Sequence, residues 1–314
     1  MPPATALILL NPIAGAGRAS RLVHRIATLS GESAVLVVGA SADHVSELAR
    51  DAVSEGYSRV IAAGGDGTVQ AVLNGLMASD EPRPRLGIVP VGSGNDLARS
   101  LGLPRSLSGA VDLAMHGPCA PVDLGLAHAE GAARWFGSAA GVGFDAQVAA
   151  AMAGKRRTWQ RGRIGYLATT LAELRRTRNH RVRLTAQDGE AASTEELTIL
   201  LAVVANGAYY GGGMRIAPDA TVSDGLLDLI TIADVSRMTA LRQLPNLYRG
   251  THLRHPAVSA RHLTAIEIEP LDGEPLPLHL DGEPWQRTPV RIELHPQAIA
   301  VASPGSAGSA SLRG

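Results

Sequence analysis

The sequence predicts an α/β domain with a parallel sheet, followed by a β-rich domain of the antiparallel sandwich type. Three observations carry that prediction. Short apolar runs alternate with helical periodicity as far as Gly117-Pro118, and three of those runs end in turns rich in glycine. Beyond that point, strand-like segments follow one another with few helices between them. The first pattern indicates parallel strands joined by helices, and the second an antiparallel sandwich or barrel. The expected division is residues 1–118, residues 119–303, and a Gly/Ser-rich tail over 304–314 with the composition of a disordered segment.

Leu7 to Leu10 form the first strand, followed by Asn11-Pro12-Ile13-Ala14-Gly15-Ala16-Gly17 and a helix through Leu22, Ile26 and Leu29. Val35 to Val38 are the second strand, and Ser41 or Asp43 starts a helix carrying Val45, Leu48 and Val53. The third strand, Arg59 to Ala63, is a brief apolar run stopped by Gly64 and Gly65; Val69, Val72, Leu73 and Leu76 then recur at helical spacing. Two glycines at a strand-to-helix turn leave no Cβ between the backbone and a bulky anion. Asp66 or Thr68 can cap the helix, whose N-terminus offers free N–H groups and the positive end of its dipole. This stretch therefore reads as a phosphate site. Leu86 to Val89 form the fourth strand, leading into Pro90-Val91-Gly92-Ser93-Gly94-Asn95-Asp96 and a helix from about Leu97. Ligands on parallel sheets bind at the carboxyl ends of the strands, where all three turns lie.

In the second half, Pro121 to Leu126, Trp135 to Val142, Val182 to Ala186, Leu197 to Ala205 and Leu227 to Ile232 read as strands. So do Leu263 to Ile268, Leu278 to Leu280, Val290 to Leu294 and Ala298 to Ala302. Helices are expected over Ala146 to Met152, Ile164 to Arg175 and Met238 to Leu247.

Composition narrows the function. The 314 residues are 45% apolar and 18% charged with a formal net charge of zero, so no global field draws the chain to nucleic acid. One cysteine, Cys119, excludes an internal disulfide and suits a reducing compartment. The N-terminus lacks a basic n-region and no stretch reaches membrane-spanning length, so a soluble cytoplasmic protein is expected, with peripheral membrane contact left open. Of 29 basic residues only Lys155 is a lysine, and it has no preceding strand and no earlier glycine at P-loop spacing. A P-loop enzyme is thereby excluded.

Asn11-Pro12-x-x-Gly15, Gly64-Gly65-Asp66-Gly67-Thr68 and Gly92-Ser93-Gly94-Asn95-Asp96-Leu97-Ala98-Arg99 together resemble the diacylglycerol-kinase catalytic family, which includes bacterial lipid kinases and the sphingosine and ceramide kinases. The run Gly211-Gly212-Gly213-Met214-Arg215-Ile216-Ala217-Pro218-x-Ala220 into Asp224-Gly225-Leu226-Leu227-Asp228 resembles the bacterial branch, as does Asp281-Gly282-Glu283-Pro284. The resemblance runs in order from about Leu7 to Ser303. It implies a phosphofructokinase-like N-terminal domain, a β-rich C-terminal domain, an ATP site in the cleft between them, and a phosphorylated lipid hydroxyl as product.

By that resemblance Gly64, Gly65, Asp66, Gly67, Thr68, Val69 and Gln70 hold the nucleotide phosphates, joined by Asn11 and Gly92 from the neighbouring turns. Ser93 fills the place of a nucleotide-contacting threonine, and Ser41 lines the same site. Asn95 and Asp96 either line it or brace the loop and cap its helix. Mg²⁺ is held by the Asp224 carboxylate with the main-chain carbonyls of Thr221 and Leu226, and the glutamate of the late Asp-Gly-Glu motif is the catalytic base. The chain carries that motif twice, at Asp272 to Pro275 and Asp281 to Pro284. Only the second follows an apolar strand and precedes an extended charged-apolar one, so the base is Glu283 and Glu274 a surface turn residue. A carboxylate deprotonates a lipid hydroxyl only late in transfer, so partial burial of Glu283 would help.

Phosphoryl transfer needs positioning, charge neutralisation and a group that orients the attacking hydroxyl. With no lysine in the phosphate loops, neutralisation falls to backbone amides, Mg²⁺ and arginine, and Asp66 acts on Mg²⁺ directly or through water. The basic stretch Lys155 to Arg163, set around Trp159, reads as a solvated loop, with anionic lipid headgroups as its alternative partner. Two rivals stand beside the lipid kinase. A soluble-substrate enzyme such as an NAD kinase shares the GGDGT logic but lacks GSGNDLAR and the terminal DGE. A binding protein that has lost catalysis is disfavoured by intact Asp66, Asp224 and Glu283. The particular lipid and the oligomeric state, a homodimer included, are not written in any motif.

Overall fold

The computed structural model describes residues 5–12, 14–79, 82–153, 163–189 and 191–304. The basic stretch 155–162 and the tail from residue 305 lie outside them. The chain divides into two compact units, one ending at Val122 and resuming at Gln297, the other running from Asp123 to Pro296. The sequence placed the break near Cys119 and kept the last strand in the second domain. The structure returns that strand to the first unit, because its end pairs there.

In the first unit β1 (Ala6–Leu10), β2 (Ala34–Val38), β3 (Arg59–Gly64) and β4 (Arg85–Pro90) form a parallel sheet in the order β2-β1-β3-β4. β1, β3 and β4 read as continuous apolar runs because both their faces are covered, whereas the edge strand β2 leaves Val35 and Val38 exposed. Ala6, Ile8, Leu10, Ile61, Ala63 and Val89 meet α1 (Ala14–Ser30) and α5 (Leu107–His116). On the other side α2 (Ala42–Ser54) and α3 (Asp66–Met77) pack together so closely that a Cβ on Gly75 would stand 2.2 Å from the Ser46 carbonyl oxygen. Helix α5 was not anticipated: its start, Leu107-Ser108-Gly109, dilutes the periodicity, and Ser106 supplies the cap by accepting the Gly109 N–H at 3.3 Å. Helix α1 begins earlier than expected, at Ala14, so Gly15 and Gly17 belong to the helix and not to the first turn. A short helix, α4 (Asp96–Ser100), follows β4.

The second unit is built on β5 (Cys119–Ala129, entering from the first unit), β6 (Ala132–Phe136), β7 (Ala139–Gly143), β8 (His180–Asp188) and β9 (Ala191–Ala205). It continues with β10 (Leu227–Ala233), β11 (Val258–Leu263), β12 (Ala265–Pro270), β13 (Pro277–Leu280), β14 (Glu283–Arg287) and the first part of β15 (Val290–Ala302). The pairings β7–β9, β8–β9, β9–β10, β8–β12, β12–β15 and β13–β14 are antiparallel. Strand β9 is the hinge of this architecture: Ala191–Ile199 pairs with β8, while Leu201–Ala205 lies between β7 and β10. Its alternate residues feed two cores. Ile199, Ala202 and Val204 face one, with Leu227, Leu229, Ile266 and Leu278. Leu201, Val203 and Ala205 face the other, which α6 (Phe144–Ala153), α7 (Arg163–Leu174) and α8 (Arg237–Arg249) supply through Phe144, Val148, Leu174 and Leu247.

Three strand expectations are corrected. Trp135 to Val142 is two strands, because Gly137 and Ser138 turn their N–H groups to a side chain instead of a ladder. Leu263 to Ile268 is the end of β11 and the start of β12, separated by Thr264, whose N–H donates to the Gln187 carbonyl at 2.8 Å. Val290 to Leu294 and Ala298 to Ala302 are one strand, carried through by a left-handed Gln297 at φ +51°.

Beside the helical core His252 is buried, its Nε2–H donating to the Ile216 carbonyl at 3.0 Å. Burial lowers its pKa against the opposing effect of its backbone hydrogen bonds. A histidine kept neutral by the fold contributes stability that is complete above its unfolded pKa and is lost progressively as pH falls from that value toward the lowered folded one. The melting temperature is therefore expected to drop more between pH 7.5 and pH 5 in the wild-type chain than in His252→Gln, which keeps a donor but cannot titrate. Equal drops in a thermal scan would remove His252 from the account.

Candidate active site

Strands β1, β3 and β4 are neighbours, so their carboxyl ends set three turns side by side. The backbone stitches them: Asn11 N–H donates to the Ala63 carbonyl at 3.4 Å, and Val91 and Gly92 N–H both donate to Gly64, at 3.0 and 3.2 Å. The glycines are demanded first by this packing. A Cβ on Gly64 would stand 2.2 Å from Thr68 Oγ1, and one on Gly92 would stand 2.4 Å from Gly65 Cα. Loop thus lies on loop with no room for a side chain between them, a reason for glycine separate from anion approach.

Asp66 joins the same two loops. Its Oδ2 accepts the Asn95 N–H at 2.8 Å and its Oδ1 the Asp96 N–H at 2.6 Å, so the carboxylate caps α4 from a neighbouring loop. Asn95 is left-handed at φ +56°, a conformation asparagine tolerates, and its Nδ2 donates to the Gly92 carbonyl at 3.0 Å. Arg99 Nε donates to the Gly94 carbonyl at 2.7 Å. Burial raises the Asp66 pKa above the ordinary carboxylate value, against the two N–H bonds and the Arg99 charge. Of the two readings of Asn95 and Asp96, their backbones show the bracing one.

The remaining first-unit candidates divide by exposure. Thr68 and Gln70 are buried, and the N–H groups of Thr68 and Val69 donate to the Gly65 carbonyl, so Gly65, Asp66 and Gly67 form the more open part of that stretch. Ser93 is exposed. Ser41 caps α2, its Oγ accepting the His44 N–H at 3.1 Å.

In the second unit β13 and β14 form a hairpin with Leu280 opposite Glu283 and a two-residue loop, Asp281-Gly282. Both loop residues have positive φ, +51° and +84°, the demand of the tight hairpin turn that Asp-Gly satisfies. The Asp281 carboxylate accepts three backbone N–H groups, from Gly137 at 2.9 Å, Ser138 at 2.8 Å and Ala139 at 3.1 Å. Gly282 N–H donates to His279 Nδ1 at 3.2 Å. That acceptor role leaves the ring proton on Nε2, which donates to Asp145 Oδ2 at 3.1 Å inside the fold. A Cβ on Gly141 would stand 2.0 Å from that Asp145 oxygen.

Glu283 opens β14 on this bound turn and is exposed, so the partial burial expected for it is absent. Glu274 is also exposed, in the segment between β12 and β13, where Asp272 accepts the Arg181 N–H at 2.8 Å.

The Asp224 carboxylate accepts the Thr221 hydroxyl at 2.7 Å and the Leu226 N–H at 3.1 Å. Gly225, at φ +76°, donates its N–H to buried Asp123 at 2.8 Å. Asn206 Nδ2 donates at 2.8 Å to the carbonyls of both Asp123 and Gly137. A hydrogen-bonded chain therefore runs from the Asp281 turn through Gly137 and Asn206 to Asp123 and the Asp224 loop. Asp228 is raised to about 6, chiefly by burial, with Asp224 and Asp219 adding to the shift and His262 opposing it. An oxygen-only donor set in a field this negative fits a hard divalent cation. Among the described residues no group of three or more His, Cys, Asp or Glu side chains is arranged to hold a metal, so any such ion would depend on main-chain carbonyls.

Sequence reading missed Asp123, Asp145, Asn206 and His279. For Asp123, Asn206 and His279 the signal was a polar residue inside or at the end of an apolar strand, as in Leu278-His279-Leu280, since such a group needs a buried partner; Asp145 lies in the first turn of α6.

Residues 5–127 match the family model described as the diacylglycerol kinase catalytic domain, and residues 138–303 the YegS C-terminal NAD kinase beta sandwich-like domain. A diacylglycerol kinase of Mycobacterium tuberculosis is 36% identical over 301 residues, covering 94% of each chain. One from Staphylococcus carnosus is 30% identical over 305 residues, covering 95% of each. A solved Bacillus anthracis structure titled a diacylglycerol kinase superposes with a TM-score of 0.72 at 21% identity, over 98% of this chain and 99% of that one.

Proposed function

Because the chain belongs to the diacylglycerol kinase catalytic family and is a lipid kinase, we propose that it transfers the γ-phosphate of ATP, with Mg²⁺, to the hydroxyl of diacylglycerol or a related lipid alcohol. The observation that supports this most is the pairing of the two glycine loops through Asp66, whose carboxylate binds the Asn95 and Asp96 amides. It holds the backbone N–H groups at the start of α3 in one arrangement, ready for an anion without reorganisation. In this reading Gly64 to Gln70 cradle the phosphates with Asn11, Gly92, Asn95 and Asp96, while Ser93 and Ser41 contact the nucleotide from the rim.

Mg²⁺ would neutralise phosphate charge, held by Asp224 and the carbonyls of Thr221 and Leu226, while Asp66 braces its own loop. Glu283 accepts the proton of the lipid hydroxyl as that oxygen bonds to the γ-phosphorus and the bond to the bridging oxygen of ADP breaks. An exposed carboxylate meets this need where the approaching acceptor itself excludes water. We place the enzyme in the cytoplasm, where ATP is available, acting on lipid at the adjoining membrane face.

The second-unit match carries the words NAD kinase in its description, but sandwich architecture does not determine the acceptor. The test is transfer of labelled γ-phosphate from ATP with Mg²⁺ to a panel of lipid alcohols in mixed micelles, with NAD as a parallel acceptor. Product on one lipid class is expected, reduced about a hundredfold or more in Asp66→Ala. Product on NAD alone, or none on any acceptor with ATP still bound, would overturn the proposal.

A further inference from the structure

Six large apolar side chains among the described residues are exposed, and three of them, Met238, Leu241 and Tyr248, lie on α8 at 56%, 36% and 38%. Successive helical positions advance by about 100°. That places Tyr248, Leu241, Pro245 and Met238 in one strip, with Arg237 on one border and Arg242 and Arg249 on the other; all seven residues are exposed. The opposite face, Ala240, Leu244 and Leu247, packs on the core of Leu201, Val203 and Ala205. The helix is therefore anchored from behind while a ridge rich in apolar side chains, edged by cations, faces outward.

The charge on the helix itself has one sign. Helix α8 contains no acidic residue. Arg237 Nη2 donates to the Thr177 carbonyl at 3.4 Å, which brings the exposed Arg175, Arg176 and Arg178 to its first turn. Two acids stand beside that turn: Asp234, which accepts from the neutral Asn179 amide and keeps its charge, and Glu173, which pairs with Arg176 at 3.8 Å; the arginines outnumber them. An apolar strip between arginines is the composition of a helix lying in a bilayer interface, with its side chains among the acyl chains and its guanidinium groups at phosphate level. A protein partner would also bury the ridge, but acid-free cationic borders match a uniformly anionic surface better. Among the described residues no helix is long and apolar enough to cross a membrane, so attachment would be from the side.

We propose that the outer face of α8 docks on an anionic lipid bilayer. This goes with the lipid-kinase reading but is tested apart from it, by sedimenting the full chain with vesicles in the absence of ATP and acceptor lipid. Vesicles of phosphatidylcholine alone are compared with vesicles mixed with phosphatidylglycerol, at low and high salt. The wild-type chain is expected to sediment with the mixed vesicles and to be released by salt. Met238→Gln/Leu241→Gln/Tyr248→Gln should weaken partitioning roughly tenfold or more, and Arg242→Gln/Arg249→Gln should reduce the salt dependence. Both variants should melt with the wild-type chain, since the changed side chains are exposed.

Absence of wild-type binding to mixed vesicles, or undiminished binding by the triple variant, overturns the proposal. So does a self-associated form that the triple variant dissolves, since the ridge would then belong to a second copy. A chain that phosphorylates micellar lipid but ignores vesicles defeats this inference alone, and one that binds vesicles without phosphate transfer defeats the kinase reading alone.

Discussion

Glu283→Gln is expected to reduce phosphoryl transfer by about 10²–10⁴-fold while leaving ATP affinity within about twofold of wild type. The two side chains are nearly isosteric, and the turn that carries them is held by others: Asp281 through three backbone N–H groups and His279 through Gly282. Fold and nucleotide binding should therefore survive the change. What is lost is the capacity to take a proton as the new O–P bond forms. Single-turnover kinetics with saturating lipid, alongside nucleotide binding by titration calorimetry, separate the two quantities. Retained turnover would remove Glu283 as the base.

Gly92→Ala should damage both fold and activity. The new methyl group would stand 2.4 Å from Gly65 Cα and 2.7 Å from Asn95 Oδ1, and the nearer neighbour is backbone that cannot swing aside. Overpacking of this kind costs about 1–3 kcal/mol, enough to lower the melting temperature by roughly 2–5 °C in a protein this size. The loops would separate where Asp66 joins them, so kcat/KM for ATP should fall by about tenfold or more. Ser93→Ala, one residue along at an exposed side chain, should melt within about 1–2 °C of wild type. A Gly92→Ala chain as stable as wild type would show that the contact between the loops gives way freely.

The α/β unit was legible because its signal is local: apolar runs stopped by glycines, followed by helical spacing. Asp66 shows where that legibility ends. Its place before a helix suggested a cap for its own helix, yet it caps the next one, and sequence carries no record of which two turns a sheet will bring together. Helix α5 was hidden by a polar, glycine-bearing first turn, and β15 was cut in two by a polar stretch that the backbone crosses in a left-handed step. Second-unit polar residues such as Asn206 looked isolated in sequence, because each bonds to groups more than sixty positions away. The flanking strands favour Glu283 over Glu274 as the proposed base, but they carry no record of its exposure, which depends on what lies over the hairpin.

The route of β15 carries a consequence for biogenesis. The strand pairs with β12 over residues 290–293 and with β4 at Val301, so the first unit is completed by residues made after the whole second unit. Domains commonly fold in the order in which they emerge from the ribosome. Here the amino-terminal sheet emerges with the outer edge of β4 unpaired at Leu86 until some 210 further residues have been translated. Nascent chains of this protein thus have a long interval in which that bare edge is open to chaperones or to pairing with another chain.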